Sequence, residues 1–329
     1  MAEAADAPLE QAVPAELGGS RLDQAAAALF QGYSRSLLSR WIRLGALTVD
    51  GAVAKPKARL RGGERLRLSV TEVPYENWSE PQAMPLAVCY EDEDLLVLDK
   101  PAGLVVHPGA GNVDGTLVNG LLAYRPGLKD LPRAGIVHRL DKDTSGLMVV
   151  AGSLRALSGL SEAISARQVA RHYRALALGD LATAQWIDAP LGRDPRQRTR
   201  QAVRADGRPA RTQVLPQTRL GYATLVEARL ETGRTHQIRV HLAHLGHPLL
   251  GDQRYGGRWP VRGLPARSDL ALAGELSEAR RAALAAFPRQ ALHAAELGLA
   301  HPVSGRALRF SAPLPADFAG LLTQLESRS

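Results

Sequence analysis

Basic charge in this chain is concentrated in one stretch near the N-terminus, and that concentration divides the chain before any element is assigned. Between Ser20 and Val70, ten basic residues (Arg21, Arg35, Arg40, Arg43, Lys55, Lys57, Arg59, Arg61, Arg65 and Arg67) face three acidic ones (Asp23, Asp50 and Glu64), a net +7 out of +8 for all 329 residues. The hydrophobic pattern inside the stretch is that of a small folded module. Leu22, Ala26 and Leu29 recur at helical spacing, and Ser34 is placed to cap a second helix through Leu38, Ile42 and Leu44 that Gly45 ends. Leu47-Thr-Val-Asp-Gly-Ala-Val reads as strand, tight turn, strand, and Arg65-Leu-Arg-Leu-Ser-Val alternates like a half-buried edge. An ordinary α+β module with a solvated basic face would show the same pattern. The charge density favours a polyanionic partner, with Arg21, Arg35, Arg40, Arg43, Lys55 and Lys57 as its contacts.

The module is flanked by segments of different character. Residues 1–17 mix Ala and Pro with Glu3, Asp6, Glu10 and Glu16, lack the basic start and apolar middle of a signal peptide, and read as a disordered tail. The module itself spans 18–72, a Pro-rich linker follows at 73–85, and a larger domain occupies 86–329. In that domain Leu86–Tyr90 and Leu95–Leu98 predict a hairpin, Gly146–Ala151 a short buried strand, and Leu154–Ala166 a helix capped by Ser153 with Leu157, Leu160 and Ile164 on one face. Tyr173, Ala175 and Ala177 share one face of the next strand. The irregular order of strands and helices predicts an α+β fold over a doubly wound one. No apolar stretch is long enough to span a bilayer, so no membrane association is expected. One cysteine, Cys89, cannot make an intramolecular disulfide or a multi-thiolate site, which points to the cytoplasm.

The chemistry-bearing segment is Arg133-Ala-Gly-Ile-Val-His-Arg-Leu-Asp-Lys-Asp-Thr-Ser-Gly-Leu. It places Asp141 between Arg139 and Lys142, just before the small-residue turn Thr144-Ser145-Gly146. Flanking cations favour an ionised carboxylate, which can act as nucleophile or base, or simply anchor a loop. Spacing alone leaves those readings open. His138-Arg-Leu-Asp141 with Thr144-Ser-Gly-Leu147 resembles the signature of the RluA-type pseudouridine synthases. The likeness continues through Lys100-Pro-Ala-Gly-Leu-Val-Val-His-Pro-Gly109, Leu230-Glu-Thr-Gly-Arg-Thr-His-Gln-Ile-Arg239 and Gly246-His-Pro-Leu-Leu-Gly-Asp252. In the basic module, Arg21-Leu-Asp, Tyr33-Ser-Arg-Ser and Val49-Asp-Gly resemble an S4 RNA-binding domain.

The resemblance implies an S4-like module followed by a catalytic domain on a mixed, largely antiparallel sheet with flanking helices. It implies that Asp141 is the catalytic carboxylate, that Tyr173 stacks on the target base, and that Arg239 pairs with the carboxylate. Arg139 would take part in base flipping. The implied partner is ribosomal RNA of the large subunit (23S) or its precursor, with uridines in the loop of helix 69 as targets. A sister branch acting on other 23S uridines, and a non-catalytic RNA-binding assembly factor, are the alternatives. No obligate protein partner is inferred. The reaction is redox-neutral, and the sequence has neither a phosphate-cradling Gly-rich loop nor a dinucleotide fingerprint, so no cofactor is expected. Seven arginines lie between Asp188 and Thr212; Arg196, Arg198 and Arg200 at their centre read as a basic loop tracking a phosphate backbone. His236, His241, His244 and His247 invite a metal reading. Zinc sites add a carboxylate or a third facing histidine, and His247 precedes a proline past the helix end, so no metal is expected.

Overall fold

The computed structural model describes residues 8–30, 33, 35–69, 80–109, 112–197, 199–220, 222–256 and 277–326, with the backbone alone at Ser36, Leu37 and Arg40. The chain forms two compact units, Met1–Glu76 and Asn77–Ser329. The first contains β1 (Leu9–Ala12), α1 (Leu22–Leu29), α2 (Arg35–Leu44), β2 (Leu47–Val49), β3 (Ala52–Val53) and β4 (Arg65–Leu68). Its antiparallel sheet has the order β1-β4-β2-β3. Leu22, Ala26, Leu38 and Ile42 from the helices close over Leu47, Leu66 and Leu68 from the sheet. Gly45 ends α2 with a φ of 76°. Its N–H donates to Ile42 and that of Ala46 to Trp41, the paired bonds of a left-handed helix stop. The β2–β3 turn is made by Asp50 and Gly51, both left-handed, as an Asp-Gly hairpin requires.

Three expectations for this region and the segment that follows it are corrected. Residues 9–12 belong to the sheet, since Leu9 to Ala12 pair with Leu68 to Arg65 and Val13 is buried. With that strand in place β4 lies inside the sheet and is not an edge. The side chains of β1 are all exposed, so main-chain pairing holds it and no hydrophobic period announces it. Residues 1–7, Ser34 and residues 73–79 of the expected linker lie outside the described residues. Residues 80–85 belong to the second unit, where Gln82 donates its N–H to Asn119 and Asn119 donates its amide to Glu80.

The second unit contains β5 (Ala87–Glu91), β6 (Leu95–Lys100), α3 (Leu117–Tyr124), β7 (Ser145–Ala151), α4 (Leu154–Ser165), β8 (Ala170–Leu178), β9 (Gln185–Asp188), β10 (Leu191–Arg193), β11 (Gln201–Val203), β12 (Arg211–Arg219), β13 (Ala223–Leu230), α5 (Gln237–His244), α6 (Glu278–Ala286), β14 (Leu292–Ala300), β15 (Ala307–Ser311) and α7 (Ala316–Glu326). A nine-stranded sheet runs β5-β6-β7-β14-β8-β13-β12-β9, with β15 also paired to β14. The β7–β14 pair is parallel and the other described pairs are antiparallel. This is the expected α+β architecture on a mixed, largely antiparallel sheet.

Strand β7 is buried along its whole length because both its faces are covered. Met148 and Val150 join the core that contains α3 residues Leu117, Leu121 and Leu122. Leu147 and Val149 pack with Ala156 and Leu160 of α4 on the other side. Ser153 caps α4, its hydroxyl accepting from the Ala156 N–H at 3.2 Å. The basic segment folds back as a hairpin, with β10 pairing β11 and Arg196 and Arg200 in the loop between them.

Candidate active site

Asp141 sits on the short connection into β7, and three side chains fix that connection, two of them through its main chain. Lys100, 1% exposed, donates through Nζ to the carbonyls of Pro101, Leu104 and Lys142 at 2.7, 2.9 and 3.1 Å. Burial pulls its pKa down to about 8, partly offset by Asp143 and Asp141. Arg289 donates to the Asp143 carbonyl at 3.1 Å, and Gln290 donates its amide to the Thr144 hydroxyl at 3.2 Å. Gly146 then enters the parallel pair with a φ of 112°. A Cβ there would lie 2.3 Å from the Ala294 carbonyl oxygen. Only glycine lets β7 approach β14 at this point, which is the physical content of the Thr-Ser-Gly turn.

Arg239 reaches Asp141 from α5. Its Nη1 donates to Asp141 Oδ2 at 2.9 Å, while Nε and Nη2 bond Asp252 at 2.7 and 2.9 Å. Burial alone would lower the pKa of this guanidinium, and the bonds to Asp252 and Asp141 more than reverse it. The fork is therefore committed along one edge to Asp252, leaving a single N–H aimed at Asp141. Asp141 Oδ1 accepts no hydrogen bond from the described residues, and His236 Nε2 stands 3.8 Å from it. The Thr-His-Gln-Ile-Arg segment builds this geometry through Gln237, which is 3% exposed. Its Oε1 accepts from Thr232 and from the Arg234 N–H, and its Nε2 donates to the Arg211 carbonyl and to Thr212. His236, left-handed at φ 57°, hydrogen-bonds Tyr255 at 2.7 Å. The Tyr255 ring stacks 5.1 Å from the Arg239 guanidinium.

Tyr173 is buried on β8. Burial raises its pKa, with Arg171 lowering it and Asp141 raising it further, so it is a neutral phenol at neutral pH. Asp141, Tyr173, Arg239 and Arg139 all line one cleft of about 710 Å³. Arg139 is exposed and makes no hydrogen bond or ion pair with the described residues. The sequence expectation that Arg139 and Lys142 flank and charge the carboxylate is replaced here, since the cation bonded to Asp141 is Arg239, 98 positions away. His138 is a structural residue whose Nε2 accepts from the Val149 N–H at 3.0 Å, and burial drives its pKa down to about 3.

The expected RNA contacts divide. Arg21 and Arg35 both hold Asp23, Arg21 at 2.9 Å through Nε and Nη2 and Arg35 at 3.1 and 2.8 Å. Burial raises the Asp23 pKa, and the hydrogen bonds from the two arginines overcome it, leaving it below the ordinary value. Arg43, Lys55 and Lys57 are exposed and make no ion pair with the described residues. Arg196 is exposed; Arg200 lies over the Tyr255 ring at 5.2 Å; Arg198 and the Arg40 side chain lie outside the described residues. His241 is a core residue, bonded to Thr212 and to the Ala189 carbonyl, both at 2.9 Å. His247 bonds the Leu178 carbonyl at 2.8 Å.

Sequence reasoning missed Asp252, His236 and Tyr255. Asp252 ended a recognised motif and carried that signal, whereas Tyr255 stood in a stretch with none. The same reading missed Arg171, which lines the cleft on β8.

Comparisons with known proteins give the family. Residues 94–244 match the family model described as RNA pseudouridylate synthase, and residues 20–66 match that of the S4 domain. The chain is 50% identical over 328 residues to the Ribosomal large subunit pseudouridine synthase D of Xanthomonas campestris, covering 99% of this chain and 96% of that one. It is 48% identical over 313 residues to the protein of the same description from Pseudomonas aeruginosa, covering 95% and 94%. Among solved structures, Human RNA Pseudouridylate Synthase Domain Containing 4 superposes with a TM-score of 0.54 at 26% identity, covering 73% of this chain and 92% of that chain. With about half of its residues identical to two such synthases over nearly the full length, a matching catalytic model and an S4 domain ahead of it, the chain belongs to the RNA pseudouridylate synthase family.

Proposed function

We propose that this synthase isomerises uridine in the loop of helix 69 of 23S ribosomal RNA, or of its precursor, in the cytoplasm, with Asp141 as the reacting carboxylate. The observation that carries the reading is the Asp141 carboxylate itself. One oxygen is bonded to Arg239 and the other makes no hydrogen bond with the described residues, at the floor of a cleft whose charge is mostly positive. The reaction breaks N1–C1′, turns the uracil and joins C5 to C1′; the hydrogen on C5 leaves as a proton and N1 takes one up. Asp141 Oδ1 serves as the nucleophile or base, and Arg239 holds the carboxylate in one orientation throughout. Neutral Tyr173 offers a ring face and a hydroxyl to the base. Exposed Arg139 occupies the space an extruded base leaves. A loop uridine suits this chemistry because unstacking it costs least.

Tritium release from C5-labelled large-subunit RNA tests the reading, with Asp141→Asn as the control. Release from the helix 69 loop by the wild type alone is the expected result. Release mapped to other 23S uridines replaces the substrate, and turnover by Asp141→Asn removes the catalytic assignment.

A further inference from the structure

Arg171 is 6% exposed and lines the cleft, yet its Nε is buried without a hydrogen-bond partner. No carboxylate among the described residues lies within ion-pair distance of it. It stands two residues before Tyr173 on β8, and so on the same face of the sheet. The main chain makes room for it: a Cβ on Gly233 would come within 2.6 Å of Arg171 Nη1. Next to Gly233, Arg234 is held by its Nε on the Pro209 carbonyl at 3.0 Å. Burial lowers the Arg234 pKa, and the positive charges of Arg208 and Arg167 lower it further. Of these neighbours, Arg167 has a carboxylate, Glu231, at 3.1 Å. Arg171, Arg208 and Arg234 have none among the described residues. A buried guanidinium with an unmade bond is costly and persists where a ligand completes it.

We propose that Arg171, with Arg234 and Arg208 beside it, forms a phosphate site that grips an RNA phosphodiester adjoining the uridine at Asp141. A phosphate fits better than a base edge, because the site offers N–H donors and positive charge with no acceptor opposite them. Extruding a nucleotide turns the backbone on either side of it, and a phosphate fixed here holds the turned backbone in place. The proposal rests on the synthase reading for the identity of the ligand, and its test separates the two.

The probe is the helix 69 hairpin RNA, with single methylphosphonates replacing the phosphates that flank each loop uridine. Arg171→Met is expected to weaken binding of the unmodified hairpin by about tenfold or more, as for one lost charge-assisted bond. At one flanking phosphate the methylphosphonate should weaken wild-type binding similarly and leave Arg171→Met unaffected. Arg171→Lys should recover part of the loss. Without RNA, Arg171→Met should melt no lower than the wild type, because the change removes an uncompensated buried charge. In the wild type, sodium sulfate should raise the melting temperature above sodium chloride at equal ionic strength, and Arg171→Met should keep only the smaller increment that sulfate gives any folded protein.

Losses that multiply at every phosphate overturn the proposal, as does wild-type hairpin affinity in Arg171→Met. If no hairpin is bound, the sulfate increment decides. Failure of the synthase reading appears separately, as absence of tritium release from a hairpin that the wild type binds.

Discussion

Replacing Asp252 with Asn tests whether Arg239 is aimed from behind. Asp252 is 1% exposed and does not line the cleft. Its Oδ1 accepts from Arg239 Nη2 and from the N–H groups of Arg254 and Tyr255, while Oδ2 accepts from Arg239 Nε. An asparagine that keeps its carbonyl at the Oδ1 position retains three of these bonds and turns its NH2 toward the Nε–H. One charge-assisted bond is lost, worth about 1.5–3 kcal/mol, and a buried donor is stranded at a further cost of about 1–3 kcal/mol. The expected destabilisation is about 3–5 kcal/mol, the range for removing one partner of a buried ion pair. In a unit of this size that lowers the melting temperature by about 10 °C. The freed fork no longer presents one N–H to Asp141, and kcat should fall by about a hundredfold with KM little changed. Arg239→Gln should cost about as much, and the double variant no more than the worse single one. Thermal melting and saturating tritium-release assays read both effects. An Asp252→Asn protein that melts and turns over like the wild type would refute the reasoning.

Three further outcomes follow from particular contacts. Gly146→Ala should fail to fold or lose about 4 kcal/mol or more, since its Cβ would lie 2.3 Å from the Ala294 oxygen; soluble yield and a circular-dichroism melt check this, and wild-type stability would contradict it. His138 has a folded pKa near 3 against an ordinary 6.5, so the unfolded chain binds its proton first. Its contribution to stability is whole above pH 6.5 and is lost as the pH falls toward 3, by about 4 kcal/mol. Urea unfolding of wild type and His138→Gln across that window should show a shallower acid loss in the variant, and parallel curves would contradict the assignment. Replacing Lys55 and Lys57 with Gln should reduce the slope of log affinity against log salt by about 1.5. Arg21→Gln should reduce it by less than the share of about 0.75 that one lysine accounts for, because Arg21 is already committed to Asp23, and a reduction of about 0.75 would place Arg21 on the RNA.

Local rules carried the sequence reading where the signal was local. The Asp50-Gly51 turn, the Gly45 stop, the Ser153 cap and the two-sided burial of β7 each follow from a few adjacent residues, and all four are present. Long-range pairings were not legible in that way. The partner of Asp141 lies 98 positions away, and the nearer cations Arg139 and Lys142 were the natural choice by sequence. β1 was missed because its four side chains are exposed and its energy comes from the ladder. The count of charges takes Arg21 and Arg35 as free cations and hides the fact that one buried Asp23 takes four of their hydrogen bonds. Resemblance supplied Asp141, Tyr173 and Arg239. It had no means of supplying what the surrounding residues do for them.

Backbone strain marks the same cleft independently of any motif. Among the described residues, five that are not glycine have a left-handed backbone: Asp50, Arg133, Ala134, Arg167 and His236. Asp50 is explained by its turn; Arg133, Arg167 and His236 line the cleft. Arg167 is the clearest case. Its N–H donates to Ile164 and that of Gln168 to Ala163, the helix stop that Gly45 makes in the first unit and that glycine serves best. An arginine there costs about 1 kcal/mol relative to glycine. Selection for stability alone would remove it, along with the unpaired charge of Arg171. On the proposed phosphate site, RNA completes the Arg171 charge on binding, so the free protein carries a cost there that the complex does not. The cost at Arg171 falls on the unliganded state, and helix 69 hairpin RNA should therefore raise the melting temperature of the wild type by more than that of Arg171→Met.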